Sequence, residues 1–448
     1  MKVLKVIHGY PPLYNAGSEV YSQLLCHGLA KNHEVHVFTR EENPFNKDFI
    51  LRNSQDPLQP EINLHVINIP LEKFRYRYQH TEVDEAFAKV LNQVKPDIVH
   101  VGHLNHLSTS LIFEIAKKNI PIVYTLHDYW LMCPRGQFIQ RNSPQNEELW
   151  ALCDGQNNQK CAERCYAGYF SGAANEISLD VAHWVDWVSR RMTHIQEVVQ
   201  YIACFIAPSR YLYNRYIKEF RLPQNKVIYL DYGFDLQRLQ NRQRVSNEPF
   251  TFGYIGTHIP AKGIQDLILA FSLLKGESQL RIWGRPNAQN TNGLRAIISR
   301  LPLEIQKRIE WLPEYRNEHI INDVFNHVDC IVVPSIWVEN SPLVIHEALQ
   351  VRVPVITADV GGMAEYVHHE QNGLLFKHRH VPSFAYQMQR LADDPKLASH
   401  LGSQGYLQSE DGNIPSLNSH VSAIEAIYDR VFQHVDLSKQ SLIKETVL

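Results

Sequence analysis

Short apolar runs alternate with stretches of helical periodicity along most of the chain, and this alternation constrains the fold more than any other feature. Runs rich in β-branched residues predict buried parallel strands. Strands that alternate with helices form doubly wound parallel sheets, whose ligands lie beyond the carboxyl ends of the strands. The chain is therefore predicted to be an α/β protein. The predicted strands of its first half are 3–8, 34–39, 63–69, 97–101, 120–126, 203–209 and 226–230.

A second series of strands follows a polar stretch, Asp231 to Pro249, that reads as a linker between domains. Two or three domains, each with its own core, are expected from a chain of 448 residues. Residues 41–61 are predicted to be a polar connection, and residues 383–401 and 416–434 to be helical. The predicted strands of the second half are 250–256, 280–283, 308–312, 329–334 and 353–357.

The segment Ser335 to Leu349 joins a predicted strand end to a predicted helix start. Ser341 suits the N-cap, and Pro342 suits the first helical position, where its missing N–H costs nothing. The N–H groups of Leu343 and Val344 would then point out of the helix start. Such groups, together with the helix dipole, form an anion site, so the segment predicts a phosphate-bearing ligand.

Two carboxylates flank this helix start. Glu347 lies five residues after Pro342, about 7.5 Å along the helix axis at about 1.5 Å per residue. That distance suits a ribose joined to the phosphate. Glu339, on the preceding loop, would face the other end of the same ligand, such as a sugar. The alternative is that both are solvated glutamates beside a capped helix.

Charge and hydropathy exclude several classes of function. Lys and Arg number 44 against 47 Asp and Glu, so nothing draws the chain to nucleic acid electrostatically. The apolar part of residues 1–8 is too short for a signal peptide, and no apolar run approaches the roughly 20 residues of a membrane span. The protein is predicted to be cytoplasmic. A helix over Ile177–Ile202 carries Trp184 and Trp187, which predict core packing or, alternatively, peripheral contact with the inner membrane face.

Four of the seven cysteines fall within one loop-like stretch. An odd number of cysteines in a long chain without a secretion signal argues against a disulfide framework. Four thiolates suit a tetrahedral structural zinc ion that would order an insertion without a core of its own. An iron–sulfur cluster and unligated thiols are the alternatives. These residues, named here the cysteine cluster, are Cys133, Cys153, Cys161 and Cys165.

Three segments together resemble the donor-site motifs of GT4-type retaining glycosyltransferases. They are Glu339 and Glu347 with seven residues between them, Gly256 to Gly263, and Gly361 to Glu365, and their order and spacing also match. The resemblance is strong over residues 250–380, recognisable over 1–130 and weak over 135–200.

This resemblance implies a GT-B fold, in which two Rossmann-like domains face each other across a cleft. It predicts an acceptor-side domain over 1–235, with an insertion over about 133–200, and a nucleotide-sugar-binding domain over 250–415. Residues 416–448 would form a helix that packs back on the first domain, followed by a tail.

In the first domain the resemblance points to His127 and Gly17. A histidine at this strand end projects toward the transferred sugar in such enzymes, and His127 matches that position. The alternative is a histidine that orders its loop. GT4-type enzymes usually carry two glycines where this chain has Ala16 and Gly17, so close backbone approach to the donor is expected only at Gly17, which otherwise serves the turn.

In the second domain the resemblance points to Gly256 and Lys262. Gly256 would lie beside the donor, and the Lys262 ammonium would stabilise charge on the leaving diphosphate, unless it is a surface lysine at a helix start. Such enzymes commonly carry an arginine directly after this glycine, where this chain has Thr257. Arg285, which follows the next strand, is one candidate to replace it.

The activity implied is transfer of a sugar, with retention, from a UDP-, GDP- or ADP-linked donor to a hydroxyl acceptor such as a glycan, a polysaccharide precursor or a glycolipid. No D-x-D triplet is present, so catalysis is expected without a divalent metal. Three alternatives stay open: a GT-B-type nucleotide-sugar epimerase, a glycoside hydrolase, and a non-catalytic nucleotide-sugar-binding protein.

Overall fold

A computed structural model describes residues 1–70, 77–140, 150–167, 177–245 and 249–445, apart from the side chains of 177–180 and 434–445. Its first domain is built on a sheet with strand order β3-β4-β2-β1-β5-β6-β7-β8. All pairs described are parallel except β3 with β4. The strands are β1 (Lys2–Val6), β2 (Glu34–Glu41), β3 (Leu51–Gln55), β4 (Asn63–Asn68), β5 (Ile98–Val101), β6 (Ile122–Thr125), β7 (Cys204–Ala207) and β8 (Val227–Tyr229).

Helices cover both faces of this sheet because each turns an apolar stripe toward it. In the second helix, Val83, Phe87 and Val90 are fully buried at helical spacing. The helices are α1 (Gly17–Leu29), α2 (Thr81–Val94), α3 (Leu111–Ala116), α4 (Asn158–Cys161), α5 (Ile177–Val198) and α6 (Arg210–Lys218).

The second domain is built on a fully parallel sheet with strand order β11-β10-β9-β12-β13-β14. The predicted α/β class with two doubly wound sheets is confirmed. The strands are β9 (Thr251–Ile255), β10 (Gln279–Trp283), β11 (Ile309–Trp311), β12 (Cys330–Val333), β13 (Val355–Ala358) and β14 (Gly373–Phe376). The helices are α7 (Ile264–Ser272), α8 (Ala288–Ile298), α9 (Leu303–Gln306), α10 (Ile320–Asp323), α11 (Leu343–Gln350), α12 (Met363–Tyr366), α13 (Val381–Asp393) and α14 (Pro395–Gln404).

The last helix, α15 (Leu417–Glu445), packs on the first domain. Its His420 Nε2 lies 2.8 Å from the hydroxyl of Tyr21 on α1. Its Tyr428 hydroxyl lies 2.7 Å from Nδ1 of His100, which is buried in β5. The chain thus begins and ends in one domain.

Three elements differ from the prediction. The stretch expected to be a connection contains β3, an edge strand whose residues are almost all exposed, so no buried alternation marked it in the sequence. The short strand β14 was not predicted. One helix expected over 383–401 is two, because Asp394 and Pro395 end α13 and begin α14.

The two tryptophans of α5 lie within a small aromatic cluster. Tyr166 stacks on Trp184 with ring centroids 4.9 Å apart and lies 5.1 Å from Trp187. This arrangement agrees with core packing in the insertion. None of the helices in the described ranges is long and apolar enough to cross a membrane.

Candidate functional site

Glu339 and Lys262 meet at the carboxyl edge of the second sheet. Glu339 lies on the loop after β12, and Lys262 ends the short 3-10 turn Pro260–Lys262 that follows β9. Oε1 of Glu339 accepts a hydrogen bond from Lys262 Nζ at 2.6 Å and another from the Ser335 hydroxyl at 2.5 Å. The Glu339 side chain is 7% exposed and that of Lys262 is 29% exposed. The two groups therefore form a charged pair with one open side.

Glycines let three loops converge around this pair. A Cβ on Gly263, where φ is +70°, would lie 1.9 Å from the carbonyl oxygen of Pro334. A Cβ on Gly362 would lie 1.4 Å from the carbonyl oxygen of Asn340. The Gly362 N–H also donates to the carbonyl of Glu339 at 2.8 Å. These contacts need bare backbone, which explains why glycine stands at both positions.

Helix α11 starts one residue later than predicted. Its N-cap is Pro342, with ψ of 119°, and no side chain caps the helix. Ser341 is buried one residue earlier, so its predicted role as N-cap is wrong. Pro342 holds an extended backbone, so helical geometry begins only at Leu343. Leu343 and Val344 are then the first two helical residues, and their N–H groups have no acceptor within the helix.

The start of α1 faces the start of α11 across the cleft between the domains. Gly17 is the first residue of α1, and a Cβ there would lie 3.5 Å from Cδ1 of Leu343. Ala16 takes the N-cap and offers no side-chain cap. Two helix starts with free amide groups thus border the same space.

Glu347 is already paired. Its Oε1 accepts an ion-pair hydrogen bond from Nη2 of Arg238, which lies in the segment joining the two domains. Both side chains are buried, 6% and 8% exposed respectively. Sequence analysis placed this segment in a linker and gave Arg238 no role, because nothing in the sequence joins residues 109 positions apart.

His127 lies on the opposite wall, after β6. Its Nδ1 is 2.7 Å from the Tyr232 hydroxyl, and its Nε2 is buried without a partner among the described residues. Burial holds the pKa of His127 well below its usual range, and the charges of Lys5, His103 and His8 lower it further. The imidazole is therefore neutral. The amide of Asn340, next to Glu339, donates to the His127 carbonyl at 3.4 Å, so the two walls touch here.

Two further histidines extend this wall, and sequence analysis missed both. His8 follows the end of β1 and His103 the end of β5 by two residues, as His127 follows β6, and these strands are neighbours in the sheet. The His8 and His103 rings lie 4.5 Å apart. The shared position after adjacent strands was the signal available in the sequence.

Each of these two histidines has a carboxylate partner. His8 Nε2 lies 3.3 Å from Glu19, and His103 Nε2 lies 3.2 Å from Asp128. Burial raises the pKa of Glu19, but the hydrogen bond and charge of His8, together with the hydrogen bonds from Ser18 and the backbone, bring the pKa down to about 2. The wall thus offers imidazoles oriented by carboxylates, which suit the hydroxyl groups of a sugar.

Gly256 and Arg285 lie farther along the same edge. A Cβ on Gly284 would lie 2.0 Å from the carbonyl oxygen of Gly256, so the loops after β9 and β10 touch. The Arg285 guanidinium donates to Glu314 at 3.1 Å, and both side chains are largely exposed. No contact within the described ranges joins Arg285 to Glu339 or Lys262. The Arg285 carbonyl accepts a hydrogen bond from the His258 N–H at 3.0 Å, so Arg285 lies beside Thr257, and its role as the replacement cation stays a prediction.

The cysteine cluster gathers in the insertion, and none of its thiols is in a disulfide. Burial raises the pKa of Cys161 to about 12, and the thiols of Cys133, Cys165 and Cys153 raise it as well, which shows that all four are neighbours. Within the part of the chain that the structure describes, no three His, Cys, Asp or Glu side chains are arranged as metal ligands. Zinc at this cluster stays a prediction.

Two parallel-sheet domains that face each other across a cleft, with a glutamate–lysine pair at the edge of the second sheet, define the GT-B class of glycosyltransferases. The family model described as Glycosyltransferase Family 4 matches residues 16–238, and the one described as Glycosyl transferases group 1 matches residues 237–408. The chain belongs to the GT4-type glycosyltransferases with the GT-B fold.

Curated relatives match over limited stretches. The capsular polysaccharide biosynthesis glycosyltransferase CapM of Staphylococcus aureus is 24% identical over 227 residues, 46% of this chain and 56% of CapM. An uncharacterized 42.6 kDa protein in the cps region of Klebsiella pneumoniae is 25% identical over 166 residues, 34% of this chain and 44% of that protein. The chain thus spans about half the length of these relatives.

Solved structures match over the whole fold. Sucrose-phosphate synthase from Thermosynechococcus elongatus superposes with a TM-score of 0.64 at 19% identity and covers 99% of both chains. HepE of Anabaena, in complex with UDP and glucose, superposes with a TM-score of 0.63 at 16% identity over 96% of this chain and 100% of HepE. At such identities these likenesses establish the fold alone.

Proposed function

We propose that the protein transfers a sugar, with retention of configuration, from a nucleoside-diphosphate sugar to a hydroxyl group of an acceptor, and that no divalent metal takes part in the transfer. The observation that carries this proposal is the Glu339–Lys262 pair, whose loop also contacts the carbonyl of His127. This contact supports the proposal that a carboxylate, a cation and a neutral imidazole line one cleft.

The diphosphate would lie at the start of α11. There the N–H groups of Leu343 and Val344 and the positive end of the helix dipole attract an anion. The Lys262 ammonium would neutralise the charge that develops as the nucleotide leaves. A helix start and a side-chain cation together would thus supply the stabilisation that a bound metal provides in other enzymes.

The rest of the donor would extend in two directions from the diphosphate. Glu347 would accept hydrogen bonds from ribose hydroxyls, and Glu339 with His127 would hold the sugar. The acceptor oxygen would attack the anomeric carbon on the face from which the diphosphate departs. The carbon–oxygen bond to the diphosphate breaks, the new glycosidic bond forms, and the leaving phosphate oxygen takes the acceptor's proton.

Two of the similar proteins suggest a class of donor and a class of acceptor for this protein. HepE is described in complex with UDP-glucose, and CapM is described as a capsular polysaccharide biosynthesis glycosyltransferase. We therefore propose a polysaccharide precursor, a related glycan or a glycolipid as acceptor. His8 and His103, with their carboxylate partners, lie on the wall where that acceptor would enter.

The experiment is isothermal titration of the purified protein with UDP, GDP and ADP, each with and without EDTA. Tight binding of one diphosphate that EDTA does not alter supports the metal-independent donor site. Absence of binding by all three overturns the proposal. Proton NMR of the product made from the matching donor then tests retention, because an inverted anomeric coupling would contradict the mechanism.

A further inference from the structure

Arg238 is a buried arginine in the short 3-10 turn Gln237–Leu239 between the two domains. Its Nη2 pairs with Oε1 of Glu347, and its Nη1 donates to Oδ1 of Asn317 at 3.0 Å. The side chains of Arg238 and Glu347 are 8% and 6% exposed. A guanidinium held at two points, by the buried Glu347 and the half-buried Asn317, has a fixed orientation, which also fixes the carboxylate that it pairs with.

The pair lies on the helix that would receive the diphosphate. Glu347 is the fifth residue of α11, about one turn from the amide groups of Leu343 and Val344. An unpaired carboxylate at that depth would repel the phosphates through a medium of low dielectric constant. Arg238 cancels that charge and leaves the second carboxylate oxygen of Glu347 without a hydrogen bond within the described residues.

One donor of Arg238 has no acceptor. Its Nε–H is buried and lacks a hydrogen-bond partner in the part of the chain that the structure describes. Buried N–H groups almost always find an acceptor, so one left open beside a ligand site is a candidate to donate to the ligand. The free Nε–H of Arg238 and the free oxygen of Glu347 together match a vicinal diol, which both donates and accepts hydrogen bonds.

We propose that Arg238 is a nucleotide-positioning residue that orients Glu347 toward the ribose hydroxyls and donates its Nε–H to one of them. This inference rests on the proposed function, since it assigns the ribose end of the same donor site. Arg238 belongs to the segment between the domains, so the ribose would be hydrogen-bonded by one residue of the linker and one of the second domain.

The test compares a nucleotide with its 2′,3′-dideoxy analogue. The tightest binder among UDP, GDP and ADP and its dideoxy form are titrated into wild type, Arg238→Ala and Arg238→Lys. The wild type is expected to prefer the ribonucleotide. Arg238→Ala is expected to lose about tenfold in affinity for the ribonucleotide, as for one charge-assisted hydrogen bond, and less than about threefold for the analogue.

Arg238→Lys keeps a positive charge beside Glu347, so it separates loss of the Nε–H from loss of the charge. It lacks Nε–H, and we expect the preference for the ribonucleotide to fall as in the alanine variant. Arg390→Ala is the matched control, because it breaks an arginine–glutamate pair with Glu370 at the surface of the second domain. Its preference is expected to equal that of the wild type.

Two outcomes contradict the inference in different ways. If the wild type binds a nucleotide and both Arg238 variants keep its preference for the ribonucleotide, Arg238 only stabilises the fold and the inference fails alone. If the wild type binds none of the three nucleotides, the proposed function fails and the inference fails with it.

Discussion

Glu339→Ala should uncouple turnover from nucleotide binding. The carboxylate accepts hydrogen bonds from Lys262 at 2.6 Å and from Ser335 at 2.5 Å, in a site where Glu339 is nearly inaccessible to water. In the proposed complex it meets the sugar, and through Lys262 it also positions the charge that meets the leaving group. The nucleoside diphosphate alone lacks the sugar, so its binding should change little.

The expected loss follows from the contact with the sugar in the proposed complex. Only an interaction that is stronger in the transition state lowers turnover when it is removed. A hydrogen bond from a sugar hydroxyl to a charged group contributes about 1.5–3 kcal/mol, and the Glu339 side chain is only 7% exposed, so water replaces little of it. Because about 1.4 kcal/mol corresponds to a factor of ten, turnover should fall by about 10- to 100-fold. Glu339→Gln keeps the shape of the side chain but not its charge, so its turnover should lie between that of the wild type and that of Glu339→Ala.

The assay is nucleotide release from the matching donor sugar, measured beside isothermal titration of the nucleotide alone. Glu314→Ala is the control, since it breaks the exposed pair with Arg285 in the same domain, and its turnover should stay within about twofold of wild type. The reasoning is refuted if Glu339→Ala loses less than about threefold in turnover, or if its affinity for the nucleotide falls in proportion.

Three further predictions concern other parts of the molecule. Gly362→Ala should lower the melting temperature strongly and abolish nucleotide binding, because its Cβ would meet a backbone oxygen at 1.4 Å. Gly293→Ala, inside α8 with open space around its Cβ, should leave binding unchanged and raise the melting temperature slightly. The buried pair of His346 and Asp231, 3.1 Å apart, should make stability depend on pH. Burial lowers the pKa of His346, but Asp231 outweighs it and leaves the pKa above 6.5; burial raises the pKa of Asp231, but His346 brings it below 3.8. The pair therefore contributes its full stabilisation between pH 3.8 and pH 6.5. The difference in melting temperature between wild type and Asp231→Asn should shrink as pH rises from about 6 to 9. A constant difference would contradict this prediction. Elemental analysis under reducing conditions should find about one zinc per chain at the cysteine cluster, and sub-stoichiometric zinc would exclude that site.

The parts of the site that sequence reasoning anticipated are those encoded over short distances. Glu339, Lys262 and the amides of Leu343 and Val344 each follow a strand end, and parallel strands bring their carboxyl ends to one edge of the sheet. His127, like Lys262, also follows a strand end, and the resemblance to GT4-type enzymes pointed to both. The prediction of Ser341 as N-cap was wrong because Pro342 suits either the N-cap or the first helical turn. Only the backbone angles of Pro342 decide between these two positions.

The parts that sequence reasoning missed depend on contacts between distant segments. The pairing of Arg238 with Glu347 and that of His8 with Glu19 are set by how the elements pack, and no local pattern specifies either partner. Strand β3 has almost no buried face, so the rule that reads strands from alternating burial does not apply to it.

Because α15 returns to the first domain, the two domains are joined by two connections, and these limit how the domains can move. The chain crosses between them near Phe234 and again near Ser416, and these two crossings pair with each other. The Phe234 N–H donates to the carbonyl of Pro415 at 3.0 Å, and the Leu417 N–H donates to the carbonyl of Phe234 at 2.7 Å. Both connections therefore lie side by side, and we expect any opening of the cleft to turn about them. A fragment that ends before residue 417 would lack α15 and its contacts with Tyr21 and His100. We therefore expect the first domain to fold stably only when its N-terminal part and α15 are both present.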